Sequence, residues 1–354
     1  MRVAKGLVVV TVAAAIGAAC LWQFGCDENP TGPKPYKPKD YVLYWNNTGY
    51  GPTCYAYHTL SRRLDTFNIP ADRIWDMKAS ADGKRLFVRY SEKISVISTT
   101  DWYTIADLPY PGLWGLAVSP DDRYLALHGG SLRVLSACDY SLLFLDTLTM
   151  NNGVFSANGK RYYAPGPTST CCSVYRLDLE NEFKVDYICV PDGYRIASVV
   201  PSIDERYLFM FRDIGDCDML FDVFDVAGDS LFFRDLVIPG CGDMVVSRDN
   251  QYVYFTGPGS ILIGSPPVYT FARFSLREAK IDSLLYWSTY CGLDISTGII
   301  GDNIVMIPDG RLLAVSEFTG LNRLVIYDCL KRDTVAVECW IGAGFHYLTC
   351  QNGK

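Results

Sequence analysis

The chain has 354 residues, 49% of them hydrophobic and 20% charged, which is enough apolar mass for a large core. Its net charge of −7 argues against a nucleic-acid partner, which would call for a basic stripe. The three histidines, His58, His128 and His346, have no metal spacing and adjoin no Gly-x-Ser-x-Gly turn, so zinc and His-based nucleophilic catalysis have no footing.

The first five residues carry Arg2 and Lys5, and residues 6–24 are apolar apart from a few small polar ones. This reads as an export signal. Its length is also near the roughly 20 residues that span a bilayer, so an uncleaved anchor or a cleaved soluble protein stays open. Ala18-Ala19-Cys20 and Phe24-Gly25-Cys26 each set a small residue before Cys. Both resemble a bacterial lipoprotein processing site, although neither has Leu three places earlier. Cys26 is the preferred lipidation position, because residues 27–40, with four prolines, follow at once as a semi-extended tether.

From residue 41 onward the pattern is β. Residues 41–45, 54–58 and 64–69 read as three strands. A turn of type I chemistry then recurs, with Ser first, Pro or another residue second, Asp or Asn third and often Gly fourth. Its copies are Ser80-Ala81-Asp82-Gly83, Ser119-Pro120-Asp121-Asp122, Ser156-Ala157-Asn158-Gly159, Ser202-Ile203-Asp204-Glu205, Ser247-Arg248-Asp249-Asn250, Ile307-Pro308-Asp309-Gly310 and Cys350-Gln351-Asn352-Gly353. An apolar or aromatic strand follows six of the seven. The aligned Asp or Asn positions are 39, 37, 46, 45, 60 and 43 residues apart. A period of about 40–45 residues holding four short strands is a propeller blade.

Only Lys354 follows the seventh turn, and the three strands it lacks sit at residues 41–69. The expectation is an all-β, seven-bladed β-propeller of four-stranded blades. It is closed by a split blade in which a C-terminal strand at residues 345–349 completes a sheet begun near residue 41. The rival is an array of β-sandwiches with chance turn similarity. On these turns and the strands after them, residues 41–354 resemble the seven-bladed YVTN-type and WD-repeat-like propellers of bacterial envelope proteins. There is no Gly-His or Trp-Asp signature, and the resemblance implies fold far more than function.

Strand alternation sends the first–second and third–fourth connections to one face, and the second–third and fourth–first connections to the other. The first–second turns are uniformly short. The second–third loops are long and varied, and the surplus in the 60-residue gap falls on the same face, near 257–267 and 291–302. Elaboration confined to one face marks it as the binding face, against the plainer reading of tolerated insertions.

Six places before each aligned Asp or Asn lie Asp76, Gly115, Asn152, Ser198, Asp243, Asn303 and His346. All are polar or small, and they would ring the channel mouth on the elaborated face. They read either as ligand or cation donors or as groups that cap strands and hold channel water. Trp75, Trp114 and Arg195 lie beside the same mouth, as a partner grip or as wedges between blades. Asp213, Asp216 and Asp218 loosely suggest calcium, but without the order of a known calcium loop a solvated turn fits better.

Thirteen cysteines fit an oxidising compartment. With a hairpin turning at Glu180-Asn181, Cys172 falls opposite Cys189, the first-choice disulfide. Cys171 is its rival, and Cys217 with Cys241 is a weaker pair. The reading is an exported propeller, lipid-anchored in the periplasm or at the cell surface. It binds a protein, peptide or glycan as a monomer, and no cofactor is expected. The rival classes are a hydrolase or lyase pairing Asp76 with Asp243, and a spacer without a specific ligand.

Overall fold

The computed structural model describes residues 42–46, 53–69, 74–90, 92–148, 153–166, 173–190, 195–213, 218–239, 243–258, 268–288, 304–306, 312–317, 323–329, 333–339 and 349–350. The export segment, Cys20, Cys26 and the tether lie outside them. The described residues form seven four-stranded sheets, each antiparallel throughout. Six are sequential: blade 1 spans residues 76–108, blade 2 113–146, blade 3 154–189, blade 4 195–239, blade 5 244–288 and blade 6 304–339.

The seventh blade is split, as the sequence predicts. Thr349–Cys350 pairs with Val42–Asn46, setting Leu43 against Cys350 and Tyr44 against Thr349. Thr53–His58 and Leu64–Asn68 complete that sheet. Thr349–Cys350 also touches Ile304–Met306 of blade 6 and Asp76–Ala79 of blade 1, so the ring closes there. Residues 345–348 and 351–354 lie outside the described residues, and Cys350, expected to open the last turn, ends the strand.

The cores lie between blades. Cys54, Phe67, Met77 and Val88 pack between the split blade and blade 1. Phe87, Leu116 and Leu127 pack between blades 1 and 2, and Ala126, Tyr162 and Tyr175 between blades 2 and 3. Tyr163, Val199 and Met210 pack between blades 3 and 4, and Phe211, Phe221 and Phe255 between blades 4 and 5. Adjacent residues of one strand, such as Phe87 and Val88, therefore serve two different cores. That is why the second strands read as unbroken apolar runs and do not alternate.

The first–second connections are all five residues long, at 80–84, 119–123, 156–160, 202–206, 247–251 and, between strand ends, 307–311. In five of them a buried Ser organises the loop. Its hydroxyl donates to the third-position side chain, as in Ser119 Oγ to Asp121 at 2.7 Å, and accepts the amide that starts the next strand, as from Tyr124 at 2.9 Å. Ser80, Ser156, Ser202 and Ser247 repeat both bonds.

The fourth turn position links blades. Asp122, Glu205 and Asn250 hold φ near +60° without being glycine, a conformation that carbon-bearing side chains disfavour. Asp122 accepts the amides of Ala81 and Asp82, at 2.5 and 2.7 Å, from the turn of blade 1. Asn250 accepts the Ile203 amide of blade 4 at 2.7 Å. Glu205 accepts from Asn158, Arg161 and Tyr163 of blade 3, at 2.8, 2.8 and 2.6 Å. At Gly159 an added Cβ would lie 2.8 Å from the Asp121 carboxylate, and φ is +71°, so glycine is required there on both counts.

Burial would raise the Glu205 carboxyl, but the hydrogen bonds from Tyr163, Arg161 and Asn158 outweigh it and hold the group below its ordinary value. A depressed carboxyl stabilises the fold above its unfolded pKa of about 4.3, and loses that contribution as pH falls through the folded value. Glu205→Gln is therefore expected to cost about 1–3 kcal/mol in urea unfolding at neutral pH. The gap to wild type should narrow as pH falls below about 4. A gap independent of pH would contradict this role.

Candidate functional site: a clamped tryptophan corner at the channel mouth

The two faces differ as expected. Against the uniform five-residue turns, the second–third connections range from two residues (130–131) to nine (259–267), and the fourth–first connections from four (109–112) to fifteen (289–303). Of the predicted polar column, Asp76, Gly115 and Ser198 lie in the first strands of blades 1, 2 and 4, and Asp243 lies just before that of blade 5. Asn152, Asn303 and His346 lie outside the described residues.

Asp76 is 8% exposed and begins the inner strand Asp76–Ala79. Its Oδ1 accepts the Met77 amide at 2.8 Å, and its Oδ2 accepts the Leu116 amide of blade 2 at 3.1 Å. The Lys78 ammonium lies 3.5 Å from Oδ1. The carboxylate thus joins two inner strands, close to the strand-capping alternative. Asp243 immediately precedes the first strand of blade 5, Met244–Val246, and likewise accepts the next amide, that of Met244 at 3.1 Å, but it is exposed. Ser198 is half-buried and follows a β-bulge at Ala197. Arg195 is exposed and sits opposite Asp213 in the same sheet.

Arg89 is the residue that sequence reasoning missed. It ends the second strand of blade 1, is 7% exposed, and donates Nη2 to the Trp75 carbonyl at 3.0 Å and Nη1 to the Leu113 carbonyl of blade 2 at 2.6 Å. Its guanidinium lies 5.7 Å from the centroid of the Trp75 ring. One buried cation therefore fixes the backbone beside both tryptophans. The only signal for it in the sequence was a charge at the end of an apolar strand.

Trp114 is the extra residue of a β-bulge in Leu113–Val118, where Leu113 faces Gly129 and Gly115 faces His128. Bulges re-aim side chains, and this one leaves the indole 53% exposed. A Cβ on Gly129 would come within 2.8 Å of the Gly112 carbonyl, so glycine lets the bulge seat closely. Arg89 holds the carbonyl before Trp114, and Asp76 holds the amide two residues after it. Trp75 is half-buried behind Arg89. The sequence left both tryptophans open between grip and wedge. Trp114 projects outward from fixed backbone, whereas Trp75 is packed under a cation.

Asp213 is described, while Asp216 and the side chain of Asp218 are not. Among the described residues no group of three or more His, Cys, Asp or Glu could hold a metal ion. The Cys172–Cys189 register needs correction. Ser173 sits opposite Cys189, because the hairpin loop is five residues long (179–183) and not two, with positive φ at Glu182 and Phe183. Cys189 is an exposed free thiol, and Cys172 lies outside the described residues.

No protein family matches the sequence, and no curated protein does. Solved structures are similar in fold. Hydrazine synthase of Kuenenia stuttgartiensis matches with a TM-score of 0.61 at 16% identity, over 77% of this chain and 87% of that one. The dihydro-heme d1 dehydrogenase NirN matches with 0.57 at 14%, over 90% and 77%. A candidate 6-phosphogluconolactonase of Bacteroides fragilis matches with 0.61 at 13%, over 89% and 99%. At such identities the likeness establishes a β-propeller and carries no chemistry across.

If Arg89 clamps the corner, Arg89→Ala removes both carbonyl contacts and lowers stability by about 2–4 kcal/mol in urea unfolding. Arg89→Lys should recover only part, since one ammonium lacks the fork that reaches both carbonyls. Full recovery by lysine would show that charge alone matters.

Proposed function

We propose that this chain is an exported β-propeller of the bacterial envelope type, tethered to a membrane through lipid on Cys26. It binds a protein, peptide or glycan partner through its elaborated face. The observation that carries the reading is Trp114, an exposed indole on backbone held by two buried charged side chains. Exposed, preorganised aromatics are what binding hot spots are made of.

On the opposite face several of the described charges pair with one another. Arg123 pairs with Asp121 and Glu180, Lys160 with Glu180, and Arg206 with Asp225. The enzymatic alternative, a hydrolase or lyase pairing Asp76 with Asp243, needs a carboxylate able to exchange protons with a substrate. Both oxygens of Asp76 accept backbone amides, which favours binding over turnover.

Two measurements test the reading. Mass spectrometry of the mature chain from its native envelope should find a lipid-modified N-terminal Cys26, and an unmodified mature N-terminus would remove the anchor. Partner capture from envelope extract should be lost on Trp114→Ala at unchanged melting temperature. Equal capture by both forms would move the site elsewhere.

A further inference from the structure

Of the two described histidines, His128 is the buried one, at 1% exposure near the end of the second strand of blade 2. It sits opposite Gly115 on one side and Leu132 on the other. Gly115 follows the Trp114 bulge, so His128 backs the strand that carries the indole. Across the seam between blades 2 and 3, its Nδ1 lies 3.1 Å from the hydroxyl of Tyr162, which is fully buried.

The state of the imidazole follows from the neighbours of that hydroxyl. The Gly153 amide donates to it, and a Cβ on Gly153 would lie 2.4 Å from the same oxygen, so glycine lets the two meet. With the amide donating, the phenolic proton has Nδ1 as its acceptor. His128 is therefore neutral, with its own proton on Nε2. Charging the ring would put an N–H at Nδ1. The hydroxyl would then face two donors, and its own proton would lose that acceptor inside a packed seam.

The described charges nearest this seam are engaged elsewhere. Asp146 accepts the Tyr175 hydroxyl and the Leu148 amide, each at 3.0 Å. Asp76 and Arg89 hold backbone on the blade 1 side of the sheet, where Arg133 also lies over Tyr110. Arg161 pairs with Glu205 on the blade 4 side of blade 3. The seam itself is lined by Ala126, Leu132, Ala164 and Tyr175. An opened seam exposes His128, which then takes up a proton below the ordinary histidine value of about 6.5. The closed seam resists that proton, so its stability is complete above about pH 6.5 and is lost as pH falls below it.

We propose that the His128–Tyr162 contact is an acid-sensitive latch: it holds blades 2 and 3 together at the mouth while His128 is neutral, and protonation loosens the strand that carries Trp114. The latch acts on that corner whatever the corner binds, so it stands or falls apart from the binding reading.

Hydrogen exchange of the full chain from pH 7.5 to 5, corrected for the intrinsic pH dependence of exchange, reads the latch. Protection of residues 113–118 and 161–165 should be flat above about pH 6.5 and fall by up to about tenfold per pH unit below it. His128→Gln, which has no ring to titrate, should show lower protection without that fall, and His58→Gln should behave as the wild type. A flat wild-type profile, or the same fall in His128→Gln, overturns the proposal. If His128→Gln does not fold, imidazole NMR of the wild-type chain decides, with His128 assigned by difference from His58→Gln and His346→Gln. Its ring should carry the proton on Nε2 and stay neutral in the folded chain at about pH 5.5. A proton on Nδ1, or titration near pH 6.5 with protection unchanged, overturns the latch.

Discussion

Ring closure is the constraint on which this molecule depends. A four-stranded sheet has two faces to cover, and no single blade has enough partner surface to cover both. The cores between consecutive blades solve the problem only if the last blade meets the first. Pairing of Thr349–Cys350 with Leu43 and Tyr44 does this by making one sheet from the two ends of the described fold. Contact of that strand with both blade 6 and blade 1 brings the seam into the same packing as the other interfaces. The apolar runs of the second strands follow, since each strand must serve two cores.

Polar contacts between blades supplement that packing and differ at the two faces. On the tight-turn face, Asp122, Glu205 and Asn250 reach back from one blade to the turn of the blade before. At the mouth the direction reverses, and Asp76 and Arg89 of blade 1 reach forward to the backbone of blade 2. Asp122, Asn250, Asp76 and Arg89 each set a side-chain acceptor or donor against backbone groups of the neighbouring blade, whereas Glu205 meets side chains there. A buried charge is tolerated where it is fully hydrogen-bonded, which is the condition Asp76 meets. The strained φ of Asp122, Glu205 and Asn250 has the same explanation, because glycine at those places would remove the contact.

The repeat was legible because its signal is local. Ser119, Asp121 and Tyr124 lie within six residues, and their bonds are made within that span, so the turn could be read without neighbours. The roles of Asp122 and Arg89 were not legible, because their partners lie in other blades: Asp122 reaches Ala81, and Arg89 reaches Leu113. A single sequence shows that two repeats are adjacent, but not how far one is rotated against the next. The register of Cys189 failed for a different reason. A two-residue and a five-residue hairpin differ by one place in pairing, and positive φ at Glu182 and Phe183 has no mark in residue types that rarely adopt it.

The bulge at Trp114 joins the structural and functional arguments. A bulge disrupts the ladder, and in an inner strand at the heart of the ring that loss needs compensation. Here it comes from two buried charged residues of the adjacent blade and from a glycine that lets the backbone close in. Blade 4 carries a bulge at the matching place, but its extra residue is Ala197, so the irregularity alone does not demand an aromatic. What distinguishes blade 2 is that the outward position holds the largest side chain available and leaves half of it in water. Packing does not explain that choice, since burial would have served stability better. The binding role proposed above is what an exposed indole on rigid backbone would serve.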